Sequence, residues 1–520
     1  MSAEIEPAIL ESDVPLSQSI IWRMQRDFYA QRGLRAWTED MVPQYITNNP
    51  FIAEVYARIV FGFMSDCGSR PGAPLHIVEL GAGPGKFSWL FLRHLTAMMR
   101  TGNIPIETAC YRMTDDAPSL LKAWRANRRL AEFVESGVLH FEQFTAGGQA
   151  SAEIASGGPP GPLVVIANYV FDSLPQDAFV IEQHRLLEAV VTTTSTGGSR
   201  PDKLSDLRMS WRNVTVPPDR YPVPAWNEIL EQYRSRLSGT TVLFPAEALK
   251  TLRQMASLSD GRMLVLAADK GCTQEETLRL AQGPPVIELH ASGNCFSQMV
   301  NFDAIGRYFE AIGGRALLPG KYSASVDICA FLQGLKEDQF NLTTTAYQET
   351  QSAFGPDELF ALLGWLDPHM DAMSIPQILA VLRLSHWDPV ALMRLFPAIT
   401  RQVRSVTNAR HDFRNAVLST WANHFPVTPG ENAMAFQCGV ILLELRFFED
   451  ALPMFQASQQ ALGPSAPTSF NLGLCCIGLG RTSEALAFMI EACDLDPGFE
   501  PAKSARARLE AGESGRSQAN

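Results

Sequence analysis

At 520 residues the chain is too long for one ordinary hydrophobic core and is expected to divide into several domains. Its net charge of -12 argues against a general grip on nucleic-acid phosphates, and its 46% apolar and 19% charged residues argue against disorder. No apolar run approaches the ~20 residues of a bilayer span, and Met1 to Pro15 is acidic, without the basic and apolar stretches of a secretory leader, so a cytoplasmic protein without membrane or nucleic-acid partners is expected. Its 9 cysteines form no CxxC pair and its histidines show no ligand spacing, so no metal site is predicted.

From about Ser17 to Met64, apolar residues recur at helical spacing, first Ile21, Met24, Phe28 and Tyr29, then Ile52, Val55, Tyr56 and Ile59. Tyr45-Ile46-Thr47-Asn48-Asn49-Pro50 interrupts them with a turn. Residues 1–70 therefore read as a helical N-terminal segment, ending in a Pro/Gly linker from Ser69 to Pro74. Its aromatic residues Trp22, Phe28, Tyr29 and Trp37 suit either helical core packing or a lid.

Residues 71–335 change character. Leu75 to Leu80, Ala109 to Met113, Leu163 to Ala167 and Met263 to Ala267 have the short apolar runs of buried strands. Phe87 to Met99, Ala117 to Phe133 and Ala246 to Ala256 are predicted helices between them. The alternation predicts an α/β domain built on a parallel sheet. The polar stretch Thr192 to Ser205 reads as an inserted hairpin or loop.

The first strand runs into Glu79-Leu80-Gly81-Ala82-Gly83-Pro84-Gly85, and an amphipathic helix leaves it. Glycine is required where backbone must turn sharply and admit a ligand without a Cβ in the way. A phosphate-binding loop would need glycine where Leu80 stands and Ser or Thr where Phe87 stands. A dinucleotide fingerprint would need glycine at Lys86. The remaining reading for a ligand is Glu-x-Gly-x-Gly-x-Gly; the alternative without one is a tight strand-to-helix corner.

That pattern resembles the class I S-adenosylmethionine (SAM) dependent methyltransferases, and the resemblance implies a Rossmann-like sheet with SAM bound by Glu79, Gly81, Ala82, Gly83 and Gly85. Asp115, after the second strand, is then the candidate for the ribose hydroxyls, with Asp116 as rival or helix cap. Gly137 to Thr145 resembles the third strand, where Thr145 replaces the acid that many relatives turn toward adenine. Leu163 to Asn168 followed by Phe171-Asp172-Ser173-Leu174-Pro175 resembles the MidA-like methyltransferases, relatives of a mitochondrial arginine methyltransferase for complex I assembly, and places Asn168 at the cofactor. His290 to Phe302, followed by Gly313-Gly314, is similar to a late segment of that family; Tyr169 departs from the acid usual after the Asn.

The implied acceptor is a protein side chain, with arginine as one candidate; a small molecule or natural-product intermediate is the alternative, and a catalytically inactive scaffold a third reading. Arginine is too basic to deprotonate beforehand, so a carboxylate would orient it and take its proton. Asp172 and Asp177 have suitable spacing, though either is also explained as a cap or a solvated loop charge. His290 suits general-base work near neutral pH, or a structural role.

No convincing strand pattern follows Gln333. Residues 336–430 read as a helical connector, with helices over Pro356 to Leu382 and Pro389 to Ser419. In 431–515 a 34-residue period aligns Gly439 with Gly473, Ala451 with Ala485 and Phe455 with Met489. That period fits an all-α region like tetratricopeptide (TPR) repeats, whose expected partner is a protein. Arg446 stands where the second copy has Gly480, and Pro453 lies in the first copy's second helix.

Overall fold

The computed structural model describes residues 8–39, 41–42, 45–68, 74–146, 160–196, 198, 201–290, 293–321, 323, 325–336, 339–351, 354–427 and 429–512. The chain forms two units, Met1–Phe360 and Ala361–Asn520. Of the predicted linker, only Pro74 is among the described residues.

The first element corrects the purely helical reading of residues 1–70. Ala8–Pro15 is a strand, β1, and helices α1 (Ile20–Arg32), α2 (Arg35–Thr38) and α3 (Pro50–Cys67) follow it. Residues from Ala8 to Pro15 alternate too weakly in polarity to announce a strand. Their partner, Arg185–Ser195, is remote in sequence. The turn before α3 is as expected: Asn49 caps the helix by accepting from Ile52 N–H at 3.1 Å, and Pro50 starts it.

Then β2 (Leu75–Leu80), α4 (Lys86–Thr101), β3 (Ala109–Asp115), α5 (Pro118–Ala126), α6 (Arg128–Glu135), β4 (Leu139–Gln143) and β5 (Leu163–Asn168) alternate. The predicted helix from Ala117 to Phe133 breaks at Asn127, whose side chain instead accepts from Arg129 N–H and caps α6. Four antiparallel strands follow, β6 (Asp177–Glu182), β7 (Arg185–Ser195), β8 (Leu207–Thr215) and β9 (Thr240–Phe244), and then β10 (Met263–Asp269).

The main sheet has the order Arg315–Leu317, Asp327–Gln333, β10, β5, β2, β3, β4. The five strands from β10 to β4 are parallel, while Asp327–Gln333 and Arg315–Leu317 add antiparallel edges. Chain order reverses between β2 and β5, which opens a crevice at their carboxyl ends. The second sheet joins β1, β7, β6 and β9, with β8 on β7. The inserted element is thus larger than the hairpin expected over Thr192 to Ser205. Trp22 of α1 packs on Phe296, with ring centroids 4.9 Å apart, and sits in the core of this second layer.

The second unit is helical throughout its described residues. The predicted helix over Pro356 to Leu382 is broken by a 3-10 turn at Asp367–Ala372, and that over Pro389 to Ser419 by Val403–Ser405. Helices Met434–Glu444, Phe448–Leu462, Ala466–Gly478 and Thr482–Leu495 form two hairpins, with Glu500–Glu510 after them. A Cβ on Gly439 would come within 2.8 Å of the Phe455 ring, and one on Gly473 within 2.6 Å of Met489. Pro453 lies inside its helix, near the start, and the helix runs through it.

Both hairpins turn through a left-handed residue, Gly480 at φ 74 and Arg446 at φ 60. Side chains other than glycine pay about 1–2 kcal/mol there. Arg446→Gly is expected to stabilise this unit by about 1 kcal/mol after the added freedom of the unfolded glycine is offset. Denaturant unfolding followed by helical circular dichroism checks it; a lowered midpoint would refute the strain.

Candidate functional site

The glycine turn sits at the carboxyl end of β2, beside the crevice. Gly81, Gly83 and Gly85 all have positive φ, at 62, 52 and 84. Space is short as well: a Cβ on Gly85 would come within 2.8 Å of Met113, and one on Gly83 within 3.2 Å of Trp37. Ala82 N–H is taken by Thr114 O at 2.9 Å, which ties the turn to β3. Trp124 of α5 donates its indole N–H to Gly83 O at 2.8 Å.

Asp115 ends β3 and faces the same turn. Its Oδ2 accepts from Gly83 N–H at 3.1 Å and its Oδ1 from Ala117 N–H at 3.2 Å. Each oxygen retains acceptor capacity for a ligand hydroxyl. Burial raises its pKa to about 6, against the pull of those backbone N–H groups. Asp116 does not cap α5. It is exposed and accepts from Thr145 Oγ1 at 2.6 Å, while Gln143 Nε2 donates to its carbonyl. Asp116 thus places a carboxylate directly beside Thr145.

Glu79 is turned into the layer beneath the turn. It is 4% exposed, accepts from Ser88 Oγ, and accepts from Tyr111 O–H at 2.7 Å. Burial pushes its pKa up to about 7. Its contacts brace β2 against α4 and β3.

At the end of β5, Asn168 Oδ1 accepts from Tyr56 O–H at 2.8 Å, and its Nδ2 is buried without a protein partner among the described residues. Tyr169 follows at φ 54, a strained geometry for a residue with a Cβ. Asp172 is 7% exposed, accepts from Ser173 Oγ at 2.9 Å, and is raised by burial to about 6. Tyr29 reaches this region from α1, where burial and then the charges of Cys295, Asp172 and Asp115 raise its pKa. Of the four N-terminal aromatics, Trp22 and Phe28 are core, and Tyr29 and Trp37 pack against the cluster of Phe28, Ala36 and Cys295, with Trp37 also beside Gly83.

The other two acid–base candidates differ. Asp177 begins β6 and is occupied by Ser17 Oγ at 2.5 Å, Tyr221 O–H at 2.6 Å and Arg220 at 3.5 Å. That network anchors the second sheet, and the candidate catalytic role of Asp177 has no free carboxylate to rest on. His290 opens the turn between Glu288–Leu289 and Phe296–Ser297 and is half-buried, which lowers its pKa. Lys270 and Glu288 act electrostatically on both His290 and Asp172, so the two share a neighbourhood. Ala291 and Ser292 of that motif lie outside the described residues.

Three contributors were not anticipated. Trp124 and Tyr56 carried no signal beyond helical periodicity. Asp269 is the acid that closes the apolar run Met263–Ala268, the one place where a strand-end reading would have found it.

Residues 56–288 match the family model described as a putative S-adenosyl-L-methionine-dependent methyltransferase. The chain is a SAM-dependent methyltransferase. SAM is its cofactor. Among curated proteins none matches the sequence. Two solved structures from Burkholderia thailandensis are similar, one described as uncharacterized and one as a likely methyl transferase bound to S-adenosyl-homocysteine. They share 16% and 15% identity, each over 63% of this chain and 90% of theirs, with a TM-score of 0.42. A plantazolicin methyltransferase in complex with S-adenosyl-homocysteine shares 8% identity over 61% of this chain and all of its own, at a TM-score of 0.27. Among the described residues, no helix of this methyltransferase is long and apolar enough to cross a membrane.

The residues present fit the cofactor: a cradle that a Cβ would fill, a carboxylate with spare acceptor capacity, and an orphaned buried amide at Asn168. Asp115→Ala is expected to weaken SAM binding at least tenfold. In the unsubstituted enzyme, affinity should fall about tenfold per unit as pH drops below about 6, because Asp115 then takes up a proton. Calorimetric titration with SAM across pH checks both, and equal affinity in Asp115→Ala would remove Asp115 from the ribose.

Proposed function

We propose that the enzyme methylates a nitrogen of a protein side chain, arginine in this reading, in the cytoplasm. The observation that carries it is Asp172, a buried carboxyl beside the end of β5, where the strand-end Asn168 and the glycine turn converge. The Asn168 to Pro175 motif and its likeness to MidA-like enzymes support the acceptor class. In this proposal Gly81, Ala82, Gly83 and Gly85 cradle the amino-acid end of SAM on a Rossmann-like sheet, Asp115 holds the ribose, and Thr145 with Asp116 meets the adenine edge. Glu79 contributes as the brace beneath them.

Bound SAM supplies a methyl group on a sulfonium sulfur, which passes to the acceptor nitrogen as the carbon–nitrogen bond forms and the carbon–sulfur bond breaks. The chain's own residues orient the acceptor, and Asp172 takes the proton the nitrogen gives up. Tyr29 and Trp37 exclude water from one side. Alignment of this kind is worth several kcal/mol of barrier.

The C-terminal helices, as TPR units over 431–515, recruit the acceptor protein, with the helices of 336–430 as connector to the catalytic domain of 71–335. Supporting this, the glycine-to-bulky contact recurs 34 residues apart, at Gly439 with Phe455 and Gly473 with Met489.

Asp172→Asn is expected to keep SAM affinity within about twofold and to cut methyl transfer by 10²-fold or more, the usual range for loss of a positioned acid–base group. Radiolabelled SAM incubated with purified enzyme and cell extract is the decisive measurement. Label on protein arginine supports the proposal; label confined to small molecules would replace it with natural-product methylation, and no label would favour a scaffold.

A further inference from the structure

Asp172 has a carboxyl neighbour. Asp269 ends β10, the strand next to β5, and is 0% exposed. Its Oδ2 accepts from Phe171 N–H at 3.2 Å, and no protein donor reaches its Oδ1 among the described residues. Asp172 follows directly on Phe171, which binds Asp269, and the charge of its carboxyl acts on Asp269. Two acceptor-only groups so placed are satisfied by one proton between them. Burial raises both, Asp172 to about 6 and Asp269 further, with the Asp172 charge adding to the rise at Asp269.

Gln298 is an independent observation at the same place. It is 2% exposed and its backbone N–H donates to Asp172 O at 3.0 Å, yet neither atom of its side-chain amide has a protein partner among the described residues. Next to it Gln176 donates to Met299 O at 3.3 Å and leaves its own Oε1 unpartnered. Buried amides left open in this way await a group from outside the chain.

We infer that Asp172 and Asp269 share one proton at rest and form, with the Gln298 amide, an acceptor pocket for a planar cationic nitrogen group, a guanidinium. This rests on the nitrogen-methylation reading above. A guanidinium offers only donors, in a plane, and keeps its charge, which suits two carboxyls and an amide carbonyl. Its arrival expels the shared proton to solvent, so both carboxylates are ionised around it. Asp172 then receives the N–H proton lost on methylation, and Asp269 is a positioning residue that holds the guanidinium and Asp172 in register. An ammonium has the charge without the plane or the fork. Other groups facing the pair are Lys270, Glu288, Tyr29, Tyr56, Tyr169 and Cys329, with Asp327 opposite Asp269 on the adjacent strand. The three tyrosines and the cysteine stay neutral near pH 7 because burial raises their pKa values.

Infrared difference spectra of the full chain loaded with S-adenosyl-homocysteine test this at pH 7. A protonated-carboxyl C=O band besides that of Glu79 is expected in the unsubstituted enzyme; it is lost in Asp269→Asn and moves in frequency in Asp172→Asn, each with unchanged S-adenosyl-homocysteine affinity. N-acetylarginine methylamide should remove the same band without any substitution and release a proton to buffer, while N-acetyllysine methylamide should leave it. A band that survives in Asp269→Asn, that stays in place in Asp172→Asn, or that ignores the arginine probe, overturns the inference. The probe arm needs no variant to fold. If label from SAM never enters arginine while the band behaves as described, the acceptor reading falls and the shared proton stands.

Discussion

Everything at the crevice depends on one carboxylate holding two pieces of backbone. Asp115 accepts from Gly83 N–H and from Ala117 N–H, so the loop after β2 and the loop after β3 are fixed to each other. The loop after β2 needs such a tether, because three left-handed glycines leave its backbone with little conformational preference of its own. Trp124 closes the arrangement from α5 by taking Gly83 O. Glycine turn, Asp115 and helix start are thus one hydrogen-bonded unit, and a substitution in any of them moves the others.

Burying acids near this unit costs stability. Glu79 rises from 4.5 to about 7, which corresponds to roughly 3 kcal/mol against folding at high pH. The sign follows from the raised value: the cost is absent below the unfolded pKa and is fully present above about 7. Asp115 and Asp172 carry smaller penalties of the same sign between about pH 4 and 6. A fold selected for stability alone would put apolar residues there. The molecule offsets the cost with apolar packing behind the sheet, where Val78, Val165, Ala167 and Val265 lie in one continuous core.

The sequence was most informative where local chemistry dictates structure. Leu75–Leu80 and Ala246–Ala256 match the predicted strand and helix residue for residue, because an unbroken apolar run and a helical stripe each admit one solution. The glycine turn was equally plain, since positive φ at three alternate positions leaves no other residue type. What stayed hidden depends on partners distant in the chain. β1 exists because β7, about 180 residues away, pairs with it. The breaks at Asn127 and at Asp367–Ala372 come from side-chain capping and a 3-10 turn that override helix periodicity. Among the candidate residues, the strand-end position of Asp115 was legible, whereas the bonds that Tyr221 and Arg220 make to Asp177 come from far along the chain. The contact of Thr145 with Asp116 was hidden in the same way.

The same logic explains why residues so far apart in sequence form one site. Parallel strands all finish on one edge, so the polar residues that end them converge there whatever the lengths of the connections. Gly81 follows β2, Asp115 ends β3, Asn168 ends β5 and Asp269 ends β10, which compresses 189 positions of sequence onto neighbouring strand ends. The antiparallel strand Asp327–Gln333 joins this edge in the opposite direction and therefore brings its first residue, Asp327, opposite Asp269. Parallel strands gather polar residues only at their ends, and their interiors remain apolar: Val164, Val165 and Ile166 of β5 are fully buried. The polar residues of this edge thereby lie in loops and at strand ends, outside the apolar core, and the inserted antiparallel strands form a separate sheet.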